Sequence, residues 1–187
     1  MADRSIGWTL RRLVSVFVQV CEAVAYAHSR GVVHRDLKPS NIMVGAHGEV
    51  RVLDWGIAKV IGQRNLTGEA ALQLPVVTGR TRVEDETQSG SIVGTLSYMA
   101  PEQAMARPID ARADIFSAGL SLYRMLTGIL PFEGDNEFQI YNNVLTKQIE
   151  PPRSRNPEIP EDLDAIVMKT LERDVNDRYN DAWSAHE

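Results

Sequence analysis

The chain has 187 residues and a formal net charge of −5, with 43% hydrophobic and 24% charged residues. That is an ordinary globular balance, long enough for one core. The acidic balance argues against nucleic acid as the main partner, because a phosphate backbone selects a basic surface. A single cysteine, Cys21, excludes an internal disulfide framework and a multi-cysteine zinc site.

Leu10, Leu13, Val14, Phe17, Cys21, Val24, Ala25 and His28 recur at spacings of three and four. This predicts a helix that buries one broad face, with Gly31 placed to end it. Cys21 reads as a buried core thiol. The apolar stretch from Leu13 to Ala27 contains Gln19 and Glu22 and is shorter than the ~20 residues that span a bilayer, so no membrane segment is expected. No apolar core follows Arg4 and Arg11–Arg12 in signal-peptide fashion, and the default expectation is a cytoplasmic chain. The segment from Val33 to Asn41 is polar and holds Pro39, so it is not regular helix throughout.

Ile42–Val44, the turn Gly45-Ala46-His47-Gly48 and Glu49–Leu53 predict a two-stranded hairpin that delivers Asp54 at its end. Residues 62–90 carry no sustained period and read as a long functional or disordered loop. Further helices are predicted over Asp114–Thr127, closed by Gly128 and Pro131, over Glu137–Lys147, and over Glu161–Arg173. Pro151, Pro152, Pro157 and Pro160 mark an irregular connection between the last two. The expected fold is mainly α with a small β-hairpin.

The densest chemical signal is His34-Arg35-Asp36-Leu37-Lys38-Pro39-Ser40-Asn41, followed by Asp54-Trp55-Gly56. Phosphoryl transfer spreads negative charge over the phosphoryl oxygens, so a site for it must offer cations and accurate placement. Magnesium needs hard oxygen ligands, such as a carboxylate and an amide carbonyl. Asp54 and Asn41 are suited to that task. Asp36 is a second carboxylate able to accept a hydroxyl proton, and Lys38 is a cation for the transferring phosphate. Taken alone, Asp36 reads as a loop or cap residue and Asp54 as a turn aspartate. His34 reads as a satisfied core histidine, and His28 and His47 as a helix-end and a turn residue without a catalytic part. It is the joint pattern that points to catalysis.

That pattern resembles the protein-kinase family, whose catalytic loop reads H-R-D-L-x-x-x-N and whose metal loop reads D-F-G. The likeness continues in Gly94-Thr95-Leu96-Ser97-Tyr98-Met99-Ala100-Pro101-Glu102, in Asp114-Ile115-Phe116-Ser117-Ala118-Gly119, and in Arg178. The resemblance implies the C-terminal lobe of a kinase-like fold, with residues 1–187 forming a partial kinase domain and residues 54–102 its activation segment. It implies a serine/threonine kinase that transfers the γ-phosphoryl group of ATP to protein substrates, with Mg2+ or Mn2+ as cofactor. Asp36 is then the catalytic base, Lys38 the γ-phosphate contact, and Asn41 and Asp54 the metal ligands. Thr95 is placed near Asp36 and Lys38, and Met43 under the adenine ring. His34 and Trp55 stack in the spine that aligns the lobes, Asp114 fixes the catalytic-loop backbone, and Glu102 pairs with Arg178. Arg35 is expected to meet a phosphate on the activation segment, with Ser91 ranked first as its site and Ser89 and Thr87 behind it.

The sequence departs from the family pattern in two places. Trp55 stands where phenylalanine is usual. No glycine-rich phosphate loop or V-A-I-K lysine precedes the catalytic loop within the chain. The expectation is therefore a fragment of a longer kinase or a truncated product, requiring an N-terminal lobe for full activity. The alternative is an inactive kinase lobe that binds proteins through the helix near Glu137–Lys147 and the surface near Gly94–Glu102. Small-molecule phosphotransferases fit less well, since they generally lack an Ala-Pro-Glu segment such as residues 100–102.

Overall fold

The computed structural model describes residues 9–56, the backbone of residues 59–60, and residues 96–182 and 184. Thr87, Ser89, Ser91 and Thr95, all singled out above, lie outside the described residues, as do residues 62–90.

Helix α1 spans Leu10–Ser29 and starts on Thr9, whose hydroxyl accepts from the Arg12 N–H at 3.3 Å. The chain turns out of it at Gly31, which adopts a left-handed φ of 73°. The buried face carries Val16, Phe17, Val20, Cys21 and Val24, the periodicity expected from the sequence. Burial, reinforced by Glu22, pushes the Cys21 thiol up to about 12, so it behaves as an inert core group.

Strand β1 (Val32–Val33) pairs antiparallel with β4 (Lys59–Val60). Strands β2 (Ile42–Val44) and β3 (Val50–Val52) form the expected hairpin in the register Ile42↔Val52, Met43↔Arg51, Val44↔Val50. Its turn closes through the Gly45 N–H donating to Glu49 O at 2.8 Å, with Gly48 at φ 89°. The β1–β4 pair is absent from the sequence reading, because two residues are too few to show alternation.

The remaining chain is helical: α2 (Pro101–Ala104), α3 (Arg112–Thr127), α4 (Glu137–Thr146), α5 (Pro152–Arg155) and α6 (Glu161–Thr170). Helix α3 is the centre of the core. It is buried without interruption from Ala113 to Tyr123. Its hydroxyls are satisfied inside the helix and by a neighbour: Ser117 Oγ donates to Ala113 O and Tyr98 O, and Ser121 Oγ to Ser117 O. At Gly119 a Cβ would come within 2.1 Å of Thr170 Oγ1, so the glycine lets α6 lie directly against α3. Helix α3 ends at Gly128 in a left-handed cap (φ 79°).

Boundaries differ from the sequence reading for local reasons. Helix α3 begins two residues early because Asp110 Oδ1 accepts the Arg112 N–H at 2.9 Å. Helix α6 stops at Thr170 rather than Arg173, whose guanidinium instead donates to the carbonyls of Val144 and Lys147. The proline-rich connection contains the one-turn helix α5, with Pro152 at its first position, where a missing N–H costs nothing. Among the described residues no helix is long and apolar enough to cross a membrane.

Candidate active site

The loop from His34 to Asn41 sits between β1 and β2 and is held from below by α3 (residues Arg112–Thr127). Asp114, in the first turn of α3, is fully buried. Its Oδ2 accepts the His34 N–H at 2.7 Å and its Oδ1 the Arg35 N–H at 2.8 Å. A buried carboxylate needs such donors to offset its lost hydration. A third partner is His28 Nε2, 2.8 Å from Oδ2. The sequence reading gave His28 no part beyond a helix end. The structure ties it to the carboxylate that carries the loop. The only signal for this was its place on the buried stripe of α1.

His34 is fully buried and uses both ring nitrogens. Nε2 lies 2.9 Å from Leu53 O, and Nδ1 receives the Asp36 N–H at 3.2 Å. These partners select the neutral tautomer with the proton on Nε2, since a carbonyl cannot donate and an N–H needs an acceptor. The ring therefore joins the residue before Asp54 to Asp36. Trp55 closes on it, with ring centroids 4.6 Å apart and planes tilted by 59°. The Trp55 indole N–H donates to Val52 O at 3.1 Å, a bond that phenylalanine at this position would lack.

Two backbone conformations are uncommon here. Arg35 and Asp54 adopt left-handed φ values of 73° and 60°. Both flank the cluster; the Arg35 peptide is held there by partners on its N–H and its carbonyl, whereas aspartate enters this region more readily than most side chains. The Arg35 carbonyl accepts from Gln103 Nε2 at 2.9 Å. Gly56 follows Asp54 closely, and a Cβ there would lie 3.3 Å from Asp54 Oδ1.

The polar cluster forms on this frame. Asp36 Oδ2 lies 2.8 Å from Lys38 Nζ and 3.2 Å from Asn41 Nδ2. Asn41 Nδ2 also donates to Asp36 O at 2.8 Å. With two oxygens facing one end of the amide, that end must be the NH2, and Oδ1 is the atom left for a cation. The Leu53 N–H donates to Asn41 O at 2.8 Å, which sets Asp54 beside Asn41 at the open end of the hairpin. Asp54 is exposed. Among the described residues no group of three or more His, Cys, Asp or Glu side chains is arranged to hold a metal. A pair of oxygen ligands suits Mg2+, which keeps waters and takes its remaining ligands from substrate phosphates. Beside this cluster Met43 (52% exposed) and Leu53 (36%) present apolar surface, with Trp55 half-buried.

A second charged constellation lies on the far side of α3. Arg178 and Glu102 form a two-pronged pair at 2.8 Å for each oxygen, with side chains almost fully buried. The guanidinium also donates to the carbonyls of Glu172, Arg112 and Arg173, and stacks 4.8 Å from the Phe116 ring centre.

The family model described as the protein kinase domain matches residues 2–186. The chain is 40% identical over 176 residues to the serine/threonine-protein kinase PknD of Protochlamydia amoebophila, which covers 93% of this chain and 18% of that protein. It is 37% identical over 175 residues to PknB of Mycobacterium tuberculosis, covering 93% and 25% respectively. It is 34% identical over 172 residues to PknB of Mycolicibacterium smegmatis, covering 92% and 25%. The chain thus spans a quarter or less of the length of these relatives. With a mainly helical architecture, a small hairpin beside the polar loop and a match over nearly its whole length, the chain belongs to the protein kinase family.

Proposed function

We propose that the chain is the C-terminal lobe of a serine/threonine kinase that transfers the γ-phosphoryl group of ATP to protein substrates. One observation carries the reading: a single carboxylate oxygen, Asp36 Oδ2, is met by Lys38 Nζ and Asn41 Nδ2 at 2.8 and 3.2 Å. A carboxylate held in this way is oriented to accept a hydroxyl proton as attack begins. Lys38, already drawn to that spot, places positive charge where charge develops on the phosphoryl oxygens. Asn41 Oδ1 and Asp54 would hold Mg2+ or Mn2+, which would supply charge neutralisation along the phosphates. Met43 would lie against the adenine ring.

Support also comes from the serine/threonine kinase relatives and from Lys38 itself, a residue that resembles the serine/threonine rather than the tyrosine branch. The exposed apolar edge at Met43 and Leu53 fits a surface that an N-terminal lobe would cover. The activation-segment assignment over 54–102, the placement of Thr95, and phosphate control through Arg35 with Ser91, Ser89 or Thr87 remain parts of this proposal.

The test is labelling. The full-length protein, given ATP labelled at the γ-phosphate, Mg2+ and a generic protein substrate, is expected to place label on serine or threonine. No transfer with either Mg2+ or Mn2+ overturns the reading. A second reading, a docking module without catalysis, is favoured by Phe138. This aromatic side chain, in the first turn of α4, is 80% exposed. Partner capture lost on Phe138→Ala, in a protein that shows no transfer, would support it.

A further inference from the structure

The structure assigns Gln103 the part of a positioning residue for the Asp36 loop, one that links α2 to the catalytic centre. The inference rests on the kinase reading above and adds to it a residue outside the cluster.

Asp36 is preceded by Arg35, whose peptide sits in the left-handed region at φ 73°. A non-glycine residue reaches that region only when its surroundings hold it there. Two side chains from separate elements do so. Asp114, on α3, takes the Arg35 N–H at 2.8 Å. Gln103, on α2, gives its Nε2–H to the Arg35 carbonyl at 2.9 Å. The carbonyl of Arg35 belongs to the same peptide plane as the Asp36 nitrogen. The Gln103 bond therefore sets the tilt of the plane from which Asp36 springs. On the other edge of that plane, the Asp36 N–H is taken by His34 Nδ1 at 3.2 Å.

Gln103 is itself fixed at both ends. Its Oε1 accepts the Ala100 N–H at 3.1 Å, so its amide has one orientation, with the NH2 toward Arg35. Its backbone is next to Glu102, which the buried Arg178 holds by two bonds of 2.8 Å. Gln103 is the last, partly buried member of a continuous path from that ion pair to Asp36. A path of short bonds between rigid groups transmits position. A displacement of α2 therefore reaches Asp36 through a single side chain.

The experiment uses two variants of the full-length protein. Gln103→Met keeps length and removes both polar atoms. Gln103→Glu keeps the acceptor for Ala100 but turns an oxygen toward the Arg35 carbonyl. For both, kcat is expected to fall about tenfold or more, with KM for ATP within about twofold, because the nucleotide contacts are untouched while Asp36 is misaligned. Hydrogen exchange in a peptide spanning residues 33–41 is expected to quicken, with no change in one spanning residues 115–123 of α3.

Exchange in 33–41 unchanged in both variants overturns the inference, as does a kcat within about twofold of the parent in both. Quickened exchange across 115–123 as well means general loosening and also overturns it. If the parent transfers no phosphate, the kinase reading fails. The exchange result then still decides whether Gln103 holds the loop.

Discussion

Two charged clusters flank helix α3, and they are built to opposite rules. The Glu102–Arg178 pair is closed. Its side chains are 5% and 0% exposed, and the guanidinium is shared among a carboxylate, three carbonyls and an aromatic face. The Asp36–Lys38 pair is ajar, with side chains 15% and 17% exposed, and it opens toward an uncovered apolar edge. A closed pair holds geometry and does no exchange. An open one can trade a partner for substrate. Between them stands Asp114, fully buried, whose carboxylate turns the rigidity of the core into the position of the loop.

The largest expected effect lies on the closed side. Arg178→Met leaves Glu102 buried without its cation and should cost about 3–5 kcal/mol, read as a shift of the urea midpoint. A cost equal to that of a surface charge would show that the pair is not the anchor it resembles.

Next is the support under the loop. His28→Ala removes one of the three partners of Asp114 and opens a hole beside it. A loss of about 1–3 kcal/mol is expected by thermal or urea unfolding, because a buried carboxylate loses a donor. Gly119→Ala should destabilise by a similar ~1–3 kcal/mol, since its Cβ would collide with Thr170 and push α6 from α3. If neither variant moves the unfolding midpoint, the rigidity of the core is not what holds the loop.

The smallest effect is at the rim, where Asp110 meets Arg112. Burial alone would raise the Asp110 pKa, but hydrogen bonds and charge from Arg112 outweigh it, and the carboxyl lies below its ordinary value. The folded pKa is thus below the unfolded one. The contribution is present in full above the unfolded value and is lost as pH falls through the folded one. Asp110 is 46% exposed, so Asp110→Asn should cost no more than about 1 kcal/mol near pH 7. That gap should close as pH falls through the acid range below ~4. A gap that widens in acid would contradict the direction of the shift.

Much of this was legible in residue order, and the rest was not, for physical reasons. Helix α1 and the hairpin declared themselves because one-sided burial imposes a period on the side chains. Loop 34–41 stood out by residue type, because the phosphoryl transfer proposed for it admits few substitutes. The β1–β4 pair was hidden by its shortness. The part of His28 was hidden because a histidine on an apolar stripe looks the same whether it fills space or meets a carboxylate from a helix far along the chain. Gln103 was hidden by an ordinary side chain next to a conspicuous Ala-Pro-Glu. Its use depends on the left-handed turn at Arg35, which no local pattern encodes.

The central claim is that the open cluster performs chemistry while the closed cluster holds shape. Asp36→Asn tests it most directly, with γ-phosphate transfer and urea unfolding measured on the same full-length preparation. Asparagine keeps one oxygen to accept from Lys38 and Asn41, while its other oxygen becomes an NH2 and the charge that takes up a proton is lost. The account predicts that transfer falls by about a thousandfold or more while stability changes by no more than roughly 1 kcal/mol. Transfer that persists, or a loss of stability as large as that of Arg178→Met, would contradict it.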